Sequence, residues 1–296
     1  MLKKAFKKVL SFVETQKRES RTMSLLNGLE KSTDKDLSRF AEVVKQVKLN
    51  TFTEQELSAF RLVDDKRLQL LNSDESIVVQ DFGAGNPNSS RTQAQVVDGV
   101  SGLEAISSIC KNASTPENLG RLLFKLIVEF KPKCCLELGT SLGISASYQV
   151  LALKSNGQGR FVTIEGSQSI AKIAEQTLEE LAYSNFAVHV GKFKDVLPSI
   201  LPSILPSMGT VDFVFIDGHH DKFATKEYFE TIFPYLSEKS IVIFDDIDWS
   251  KGMGEFWDEM NHDSRVKFSF DLFRWGVCFI DKHNSESRTQ SYKIIV

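Results

Sequence analysis

Two groups of acidic and imidazole side chains could carry chemistry in this chain. One follows the apolar run FVFI and contains Asp217, His219 and His220; the other follows IVIF and contains Asp245 and Asp246. An imidazole titrates near neutral pH, so either histidine is a candidate general base, with Asp217 beside them. Carboxylates are hard oxygen ligands of the kind that Mg²⁺ or Ca²⁺ prefers. The pattern therefore indicates deprotonation of a substrate, by a base or with help from a metal held by the three acids.

Two loops that contain glycine are candidates for binding a nucleotide. The first, IVVQDFGAGN, spans residues 77–86, and the second, CCLELGTSLGIS, spans residues 134–145. A nucleotide loop follows a strand and leads at once into a helix, whose N-terminus faces the ligand. The first loop instead meets Pro87 and a polar segment. We therefore expect Gly139 and Gly143 in the second loop to face the ligand, and the first loop to be an edge strand and turn over the site.

The spacing inside the second loop bears on the ligand. A dinucleotide fingerprint needs GxGxxG, in which the second glycine lets a pyrophosphate approach, but Thr140, Ser141 and Leu142 fill that space here. Glu137 ends the preceding strand, where it would repel a phosphate and accept a hydrogen bond from an ammonium group. Glu165 ends the next strand, where an acid can bind both hydroxyls of a ribose. These features favour a cationic nucleoside such as S-adenosylmethionine.

Alternating strands and helices must position these side chains. Apolar runs predict strands at residues 134–138, 160–165, 186–191, 211–217 and 240–246. Helical periodicity predicts helices at residues 144–155, 169–182 and 222–236, and another helix that begins after Thr115 and stops before Pro132. Strands this apolar are buried on both faces, which implies an α/β fold with a parallel sheet covered by helices. The runs VKFSFDLF and GVCFIDK predict a final antiparallel hairpin.

Two local signals concern helices. Thr53 and Glu56 predict a capping box at the start of a helix over 54–71, and Thr115 before Pro116 predicts an N-cap. The segment LPSILPSILPSM at 197–208 repeats a unit with proline at every fourth position. Because proline removes a helical hydrogen bond, we expect a loop there.

The chain is expected to divide near residue 110. Residues 1–110 predict a helical extension with a short strand near 77–83, and residues 111–296 predict the main domain. Residues 2–13 place apolar side chains opposite lysines. This pattern predicts a helix that packs on its own domain or on a partner subunit, with peripheral contact to a membrane as the alternative. Residues 34–48 predict a further helix, and residues 86–100 a loop.

The composition excludes several classes of protein. A net charge of −3 and a pI near 6.0 give no reason to expect a nucleic-acid partner. The four cysteines show no metal-ligand spacing, and two are adjacent in an apolar run, which fits buried thiols in a reducing compartment. No apolar run reaches the roughly 18 residues that span a bilayer, and the N-terminus has no continuous hydrophobic segment of a signal peptide. We expect a cytoplasmic enzyme.

Five segments, taken in order, resemble the motifs of one family. They are LELGTSLGIS, VTIEGS, HVGKF, FVFIDGHH and IVIFDDIDW. The likeness is to class I S-adenosylmethionine-dependent methyltransferases, and most to the O-methyltransferase branch with catechol O-methyltransferase-like and macrolide-sugar O-methyltransferase-like enzymes. It covers about residues 114–280. It implies a Rossmann-like, seven-stranded, mostly parallel sheet with one antiparallel strand, helices on both faces, and an N-terminal region that caps the acceptor or builds a homodimer.

The resemblance also implies roles for single residues. The positions that would surround the methionine part of the donor are Glu137, Gly139, Thr140 and Gly143. Glu165 would take the ribose, with Gly166 beside it, and Lys192 and Phe193 lie where the family places the adenine. Asp217 has two candidate roles, holding the donor's amino group or binding a metal.

The function that follows is methyl transfer from S-adenosylmethionine to a hydroxyl of a small molecule, assisted by Mg²⁺ or another divalent cation. The pair Asp245-Asp246 resembles the sugar-modifying enzymes more than the catechol type. A nitrogen acceptor stays open. Two other classes are an NAD(P)-dependent oxidoreductase, disfavoured by the missing GxGxxG, and a non-catalytic binding module, disfavoured by the intact acids. The acceptor would be shaped by residues 50–110 and by the loop 249–254.

Overall fold

The computed structural model describes residues 17–83, 99–284 and 289–296. The helix predicted at 2–13 and nearly all of the loop predicted at 86–100 lie outside these ranges. Every element below is given for the described residues.

The N-terminal region consists of helices and one hairpin. Its elements are α1 (17–29), α2 (Lys35–Lys48), α3 (Glu54–Leu71), β1 (Ser76–Asp81), β2 (Val100–Ala105) and α4 (Ile106–Ala113). The predicted capping box is confirmed, because Thr53 Oγ1 accepts a hydrogen bond from Glu56 N and Glu56 Oε2 accepts one from Thr53 N. The predicted strand near 77–83 pairs antiparallel with β2. Neither β2 nor α4 had been predicted.

Alternating strands and helices then build a large sheet. The strands are β3 (Cys134–Leu138), β4 (Arg160–Glu165), β5 (Phe186–Val190), β6 (Val211–Ile216), β7 (Leu236–Phe244), β8 (Val266–Asp271), β9 (Gly276–Asp281) and β10 (Gln290–Lys293). The helices are α5 (Glu117–Phe130), α6 (Ile144–Asn156), α7 (Gln168–Glu180), α8 (Phe193–Met208), α9 (Lys222–Ile232) and α10 (Lys251–Met260).

The sheet has the order β10-β8-β9-β7-β6-β3-β4-β5. Strand β9 runs antiparallel to both of its neighbours, and the other pairs are parallel. The predicted α/β fold with one antiparallel strand is therefore confirmed, and β10 adds an eighth strand at the edge. Because β3, β4, β6 and β7 are parallel neighbours, their carboxyl ends open onto the same edge of the sheet.

Apolar side chains cover both faces of the sheet. Successive strand residues point to opposite faces, so Cys135 packs with α5, α6 and the N-terminal helices, whereas Cys134 packs with α8, α9 and α10. All four cysteines are buried and free, as expected. The extension joins the first of these cores: Phe40 of α2 stacks on Phe270 of β8 with ring centroids 3.8 Å apart. A division near residue 110 stays a prediction.

The loop predicted for the proline repeat was wrong, because residues 193–208 form the helix α8. Four aliphatic side chains at helical spacing are buried on one face: Leu197, Ile200, Leu201 and Ile204. Each contributes roughly 1.5–3 kcal/mol by burial, comparable to the roughly 3 kcal/mol that an interior proline costs. The hydroxyls of Ser199 and Ser203 also donate to the carbonyls of Val196 and Ile200. Burial therefore outweighs the local proline signal.

The N-cap predicted at Thr115 was also wrong. Helix α5 begins at Glu117 with Pro116 at its N-cap, and no side chain caps it. Thr115 is buried, and its carbonyl oxygen accepts a hydrogen bond from Arg67 Nη2 at 2.7 Å. Thr115 therefore contacts α3 through its carbonyl oxygen, and its side chain does not cap α5.

Candidate active site

The loop between β3 and α6 is wound tightly against the end of β6. Gly139 has φ +97°, and a Cβ there would lie 1.7 Å from the carbonyl oxygen of Asp217. Gly143 has φ +88° and is the N-cap of α6. Only glycine tolerates both the positive φ and the close approach at residue 139. The strand, glycine loop and helix predicted for this segment are therefore present.

Glu165 joins this loop to the next one. Its Oε2 accepts a hydrogen bond from Ser141 N and its Oε1 accepts one from Ser167 N, both at 2.9 Å. Removal from water raises the pKa of Glu165 above its usual value. Each carboxylate oxygen has a second lone pair. Glu165 thus fixes the geometry of two loops and can still accept hydrogen bonds from two hydroxyls.

Glu137 and Thr140 point into the protein. Glu137 Oε1 accepts from Gln149 Nε2 at 2.7 Å, and Glu137 Oε2 accepts from Thr163 Oγ1 at 2.8 Å. Thr140 Oγ1 lies 2.5 Å from Thr163 Oγ1. Burial raises the pKa of Glu137 to about 7. These side chains support the loop from inside, and their predicted contact with a donor stays a prediction.

The carboxylates of Asp217, Asp245 and Asp246 lie together at the carboxyl ends of β6 and β7, and we call this group the acidic edge. The charge of Asp245 acts on the Asp217 carboxyl across the ends of the two strands. Arg274 binds Asp245 through both oxygens, with Nε–Oδ1 and Nη2–Oδ2 distances of 2.8 Å, and its Nε lies 3.1 Å from Asp246 Oδ1. The predicted convergence of the three acids is therefore observed, with an arginine among them.

The pKa values of these acids diverge. Burial, and next the charge of Asp245, raise the pKa of Asp217 well above its usual value and that of Asp246 to about 7. Burial alone would raise the pKa of Asp245 as well, but its hydrogen bonds and ion pair with Arg274 lower it. The ion pair with Arg274 thus favours the ionised form of Asp245, whereas burial and the charge of Asp245 disfavour the ionised form of Asp217.

The two histidines face different groups. His219 Nδ1 lies 3.0 Å from the hydroxyl of Tyr228. His220 Nε2 lies 3.8 Å from Asp217 Oδ1 and 3.7 Å from Asp246 Oδ2, with Trp249 beside the ring. Burial lowers the pKa of both imidazoles, so both are neutral near pH 7. The structure therefore separates two residues that the sequence left equivalent, and only His220 adjoins the acidic edge.

Gly166, Lys192 and Phe193 lie at the ends of β4 and β5. A Cβ on Gly166 would lie 2.7 Å from Phe82 Cδ2, and Lys192 Nζ lies 5.0 Å from the centroid of the Phe82 ring. Phe193 packs edge-on against Tyr228, with centroids 5.4 Å apart, and covers Gly218. These loops thus form an aromatic and apolar region beside Glu165.

Comparison with known proteins bears on this arrangement. Residues 136–247 match the family model described as a methyltransferase domain. This segment is therefore similar to a methyltransferase domain. The predicted resemblance to class I S-adenosylmethionine-dependent methyltransferases and their O-methyltransferase branch is thereby confirmed.

Individual relatives match over part of their length. The chain is 34% identical to the human transmembrane O-methyltransferase over 83 residues, which cover 27% of this chain and 28% of that protein. It is 28% identical to mouse catechol O-methyltransferase over 126 residues, which cover 41% of this chain and 46% of that protein. The chain thus spans less than half of either relative. A cofactor-bound structure from MTB is similar with a TM-score of 0.50 and 19% identity, covering 58% of this chain and 84% of that one, and it supports the fold.

Two residues outside the predicted set, Arg274 and Phe82, contact residues within it. Arg274 was missed because its place depends on β9 pairing with β7, which brings the turn between β8 and β9 to Asp245. In the sequence, the one indication of this contact is a single arginine between the two strands of the predicted hairpin. Phe82 was missed too, although the first glycine loop had been expected over the site.

Within 17–83, 99–284 and 289–296, no group of three or more histidine, cysteine or acidic side chains is arranged to hold a metal ion. No helix in the same ranges combines the length and apolar character needed to cross a membrane.

Proposed function

We propose that this protein transfers a methyl group from S-adenosylmethionine to a hydroxyl of a small molecule. The observation that carries the proposal is the position of Glu165, at the end of β4 and bonded to the loop 139–143. Its remaining lone pairs suit the two hydroxyls of a ribose. The loop lacks the GxGxxG spacing that lets a pyrophosphate approach, which supports a nucleoside donor over NAD(P).

The donor would lie across the ends of β3, β4 and β5. We assign the ribose to Glu165 and the methionine part to the loop that contains Gly139 and Gly143. Lys192 and Phe193 are assigned to the adenine. Methyl transfer is an in-line displacement, so holding the acceptor oxygen opposite the departing sulfur contributes much of the rate.

His220 is the residue that we assign as general base. The acceptor oxygen forms a bond to the methyl carbon while the carbon–sulfur bond breaks and leaves its electron pair on sulfur. The hydroxyl proton passes to the neutral imidazole of His220. His220 Nε2 lies 3.7 Å from Asp246 and 3.8 Å from Asp217. The charge of Asp245, which favours the protonated form of His220, would stabilise the imidazolium that forms. His219, held by Tyr228, is assigned to the donor side.

Metal assistance is the finer part of the proposal. When bound, a divalent cation would polarise the acceptor hydroxyl and lower its pKa. The oxygens of Asp217 and Asp246 suit such a cation, but both oxygens of Asp245 already accept hydrogen bonds from Arg274. We therefore propose that Arg274 and a divalent cation compete for the acidic edge. A small-molecule acceptor, a cytoplasmic location and a homodimer stay predictions, as do the catalytic roles of Asp217 and His219.

Titration calorimetry with S-adenosylhomocysteine on variants tests the donor site. Glu165→Gln should weaken binding by about 10–150-fold, because one oxygen that accepts from the ribose becomes an amide donor, at the usual 1.5–3 kcal/mol for a charged hydrogen bond. Glu175→Gln, an exposed acid on α7, is the matched control and should bind like the wild type. Equal affinity of a folded Glu165→Gln and the wild type would refute the assignment.

A further inference from the structure

The hairpin of β1 and β2 is fastened to the start of α7, next to the ribose acid Glu165. The hydroxyl of Ser169 donates to the carbonyl oxygen of Val78 at 2.5 Å. The amide of Gln80 donates to Ser167 Oγ at 3.3 Å. The same Ser167 donates its own amide to Glu165. The hairpin is therefore connected by two hydrogen bonds to the loop that holds the ribose acid.

Phe82 follows β1 and fills a space that the methyltransferase domain leaves open. Gly166 has no side chain, and a Cβ there would lie 2.7 Å from Phe82 Cδ2. On its far side the ring reaches Gly99, where a Cβ would lie 2.7 Å from Phe82 Cε1. Lys192 Nζ lies 5.0 Å from the ring centroid, a cation–π distance. The ring is thus held between the loops that end β4 and β5.

Asp81 shows how far the hairpin reaches across the site. Besides the larger effect of burial, its charge acts on the pKa of Glu165 and on that of His219. These two residues follow different strands, β4 and β6. The end of β1 is therefore close to both sides of the region assigned to the donor.

We propose that Phe82 forms one wall of the donor's adenine pocket. A purine is a flat aromatic group, and a phenyl ring packs against it by stacking or edge contact. Lys192 is assigned to the adenine and Gly166 adjoins the ribose acid Glu165, and the Phe82 ring lies against both. The N-terminal hairpin is then part of the donor site and is required for tight binding. This inference rests on the proposed donor.

Calorimetry with two ligands tests whether Phe82 forms a wall of the adenine pocket. One is S-adenosylhomocysteine, and the other is 5′-methylthioadenosine, which keeps the adenosine and lacks the amino-acid part. Phe82→Ala should weaken both by the same factor, about 3–30-fold, because the lost contact is to adenine. Phe82→Tyr should retain most of the affinity. Leu103→Ala, an exposed change on the same hairpin, is the matched control and should bind like the wild type.

The outcomes separate this inference from the proposed function. If the wild type binds neither ligand, the donor proposal itself fails. If the wild type binds and a folded Phe82→Ala binds equally well, the proposed role of Phe82 is refuted and the donor proposal is not. Tighter binding by Phe82→Ala would show that the ring blocks the pocket, which also overturns the wall. A loss confined to S-adenosylhomocysteine would place Phe82 at the amino-acid part instead.

A double-mutant cycle gives a second test. Gly166→Ala adds a Cβ that collides with Phe82 and should displace the ring, weakening both ligands. In the Phe82→Ala background the same Cβ enters vacated space, so the two effects should be less than additive. Additive effects in folded proteins would contradict the contact between ring and pocket.

Discussion

Replacing Arg274 by methionine is the change that probes the acidic edge most sharply. Methionine keeps much of the length of the side chain and removes the guanidinium that binds Asp245 at two distances of 2.8 Å. The Asp245 side chain is 1% exposed, so its charge would lose its main partner in a site that water does not reach. The variant should therefore be less stable, and its edge should become available to another cation.

The magnitude follows from burial. Breaking a buried ion pair by removing one partner costs about 3–5 kcal/mol. The Arg274 side chain is 39% exposed, and solvent screening reduces that figure to about 2–4 kcal/mol. For a chain of this size, about 2–4 °C of melting temperature corresponds to 1 kcal/mol. We expect a melting temperature lower by roughly 4–16 °C, partly restored by Mg²⁺.

Two assays check these expectations. Calorimetric melting gives the loss of stability, and electron paramagnetic resonance of free Mn²⁺ gives cation binding without any acceptor. Mn²⁺ should bind Arg274→Met at least tenfold more tightly than the wild type. Arg61→Met, which removes an exposed arginine of α3, is the control and should change neither quantity. Unchanged stability of Arg274→Met, or equal Mn²⁺ affinity in both proteins, would refute the competition between arginine and metal.

Two further predictions concern the reaction and the loop. With a known acceptor, His220→Ala should lower turnover by about 10²–10⁴-fold and leave donor affinity nearly unchanged. Because burial lowers the pKa of His220, the wild-type rate should fall only as the pH drops through a value below 6.5. A large loss of donor binding in His220→Ala would show that His220 does not act on the acceptor side. Gly139→Ala should abolish donor binding or folding, since its Cβ would lie 1.7 Å from a backbone oxygen. Gly157→Ala is the control, because the space around this residue is open and the change should cost only backbone strain. A Gly139→Ala protein that folds and binds normally would contradict the loop geometry.

Much of the domain could be predicted because its signals are local. Apolar runs gave β3 to β7, since strands buried on both faces need no polar alternation. The convergence of Asp217, Asp245 and Asp246 followed from the shared edge of parallel strands. The sequence alone therefore predicts at which edge of the sheet a ligand would lie.

The remaining features depend on contacts between distant segments. The proline repeat forms the helix α8 because the aliphatic side chains on one face of it are buried. Local sequence rules do not include this burial. Arg274 reaches Asp245 only through the register in which Gly276 pairs with Phe244. Phe82 reaches Gly166 because β1 pairs with a strand that had not been predicted and packs on α7.

The most direct test of the central claim is calorimetric titration of the wild-type chain with S-adenosylmethionine and, separately, with NAD⁺. The site at Glu165 and the loop 139–143 predicts saturable binding of S-adenosylmethionine at one site per chain and no heat with NAD⁺. Binding of NAD⁺ without binding of S-adenosylmethionine would contradict the claim that this chain is a methyltransferase.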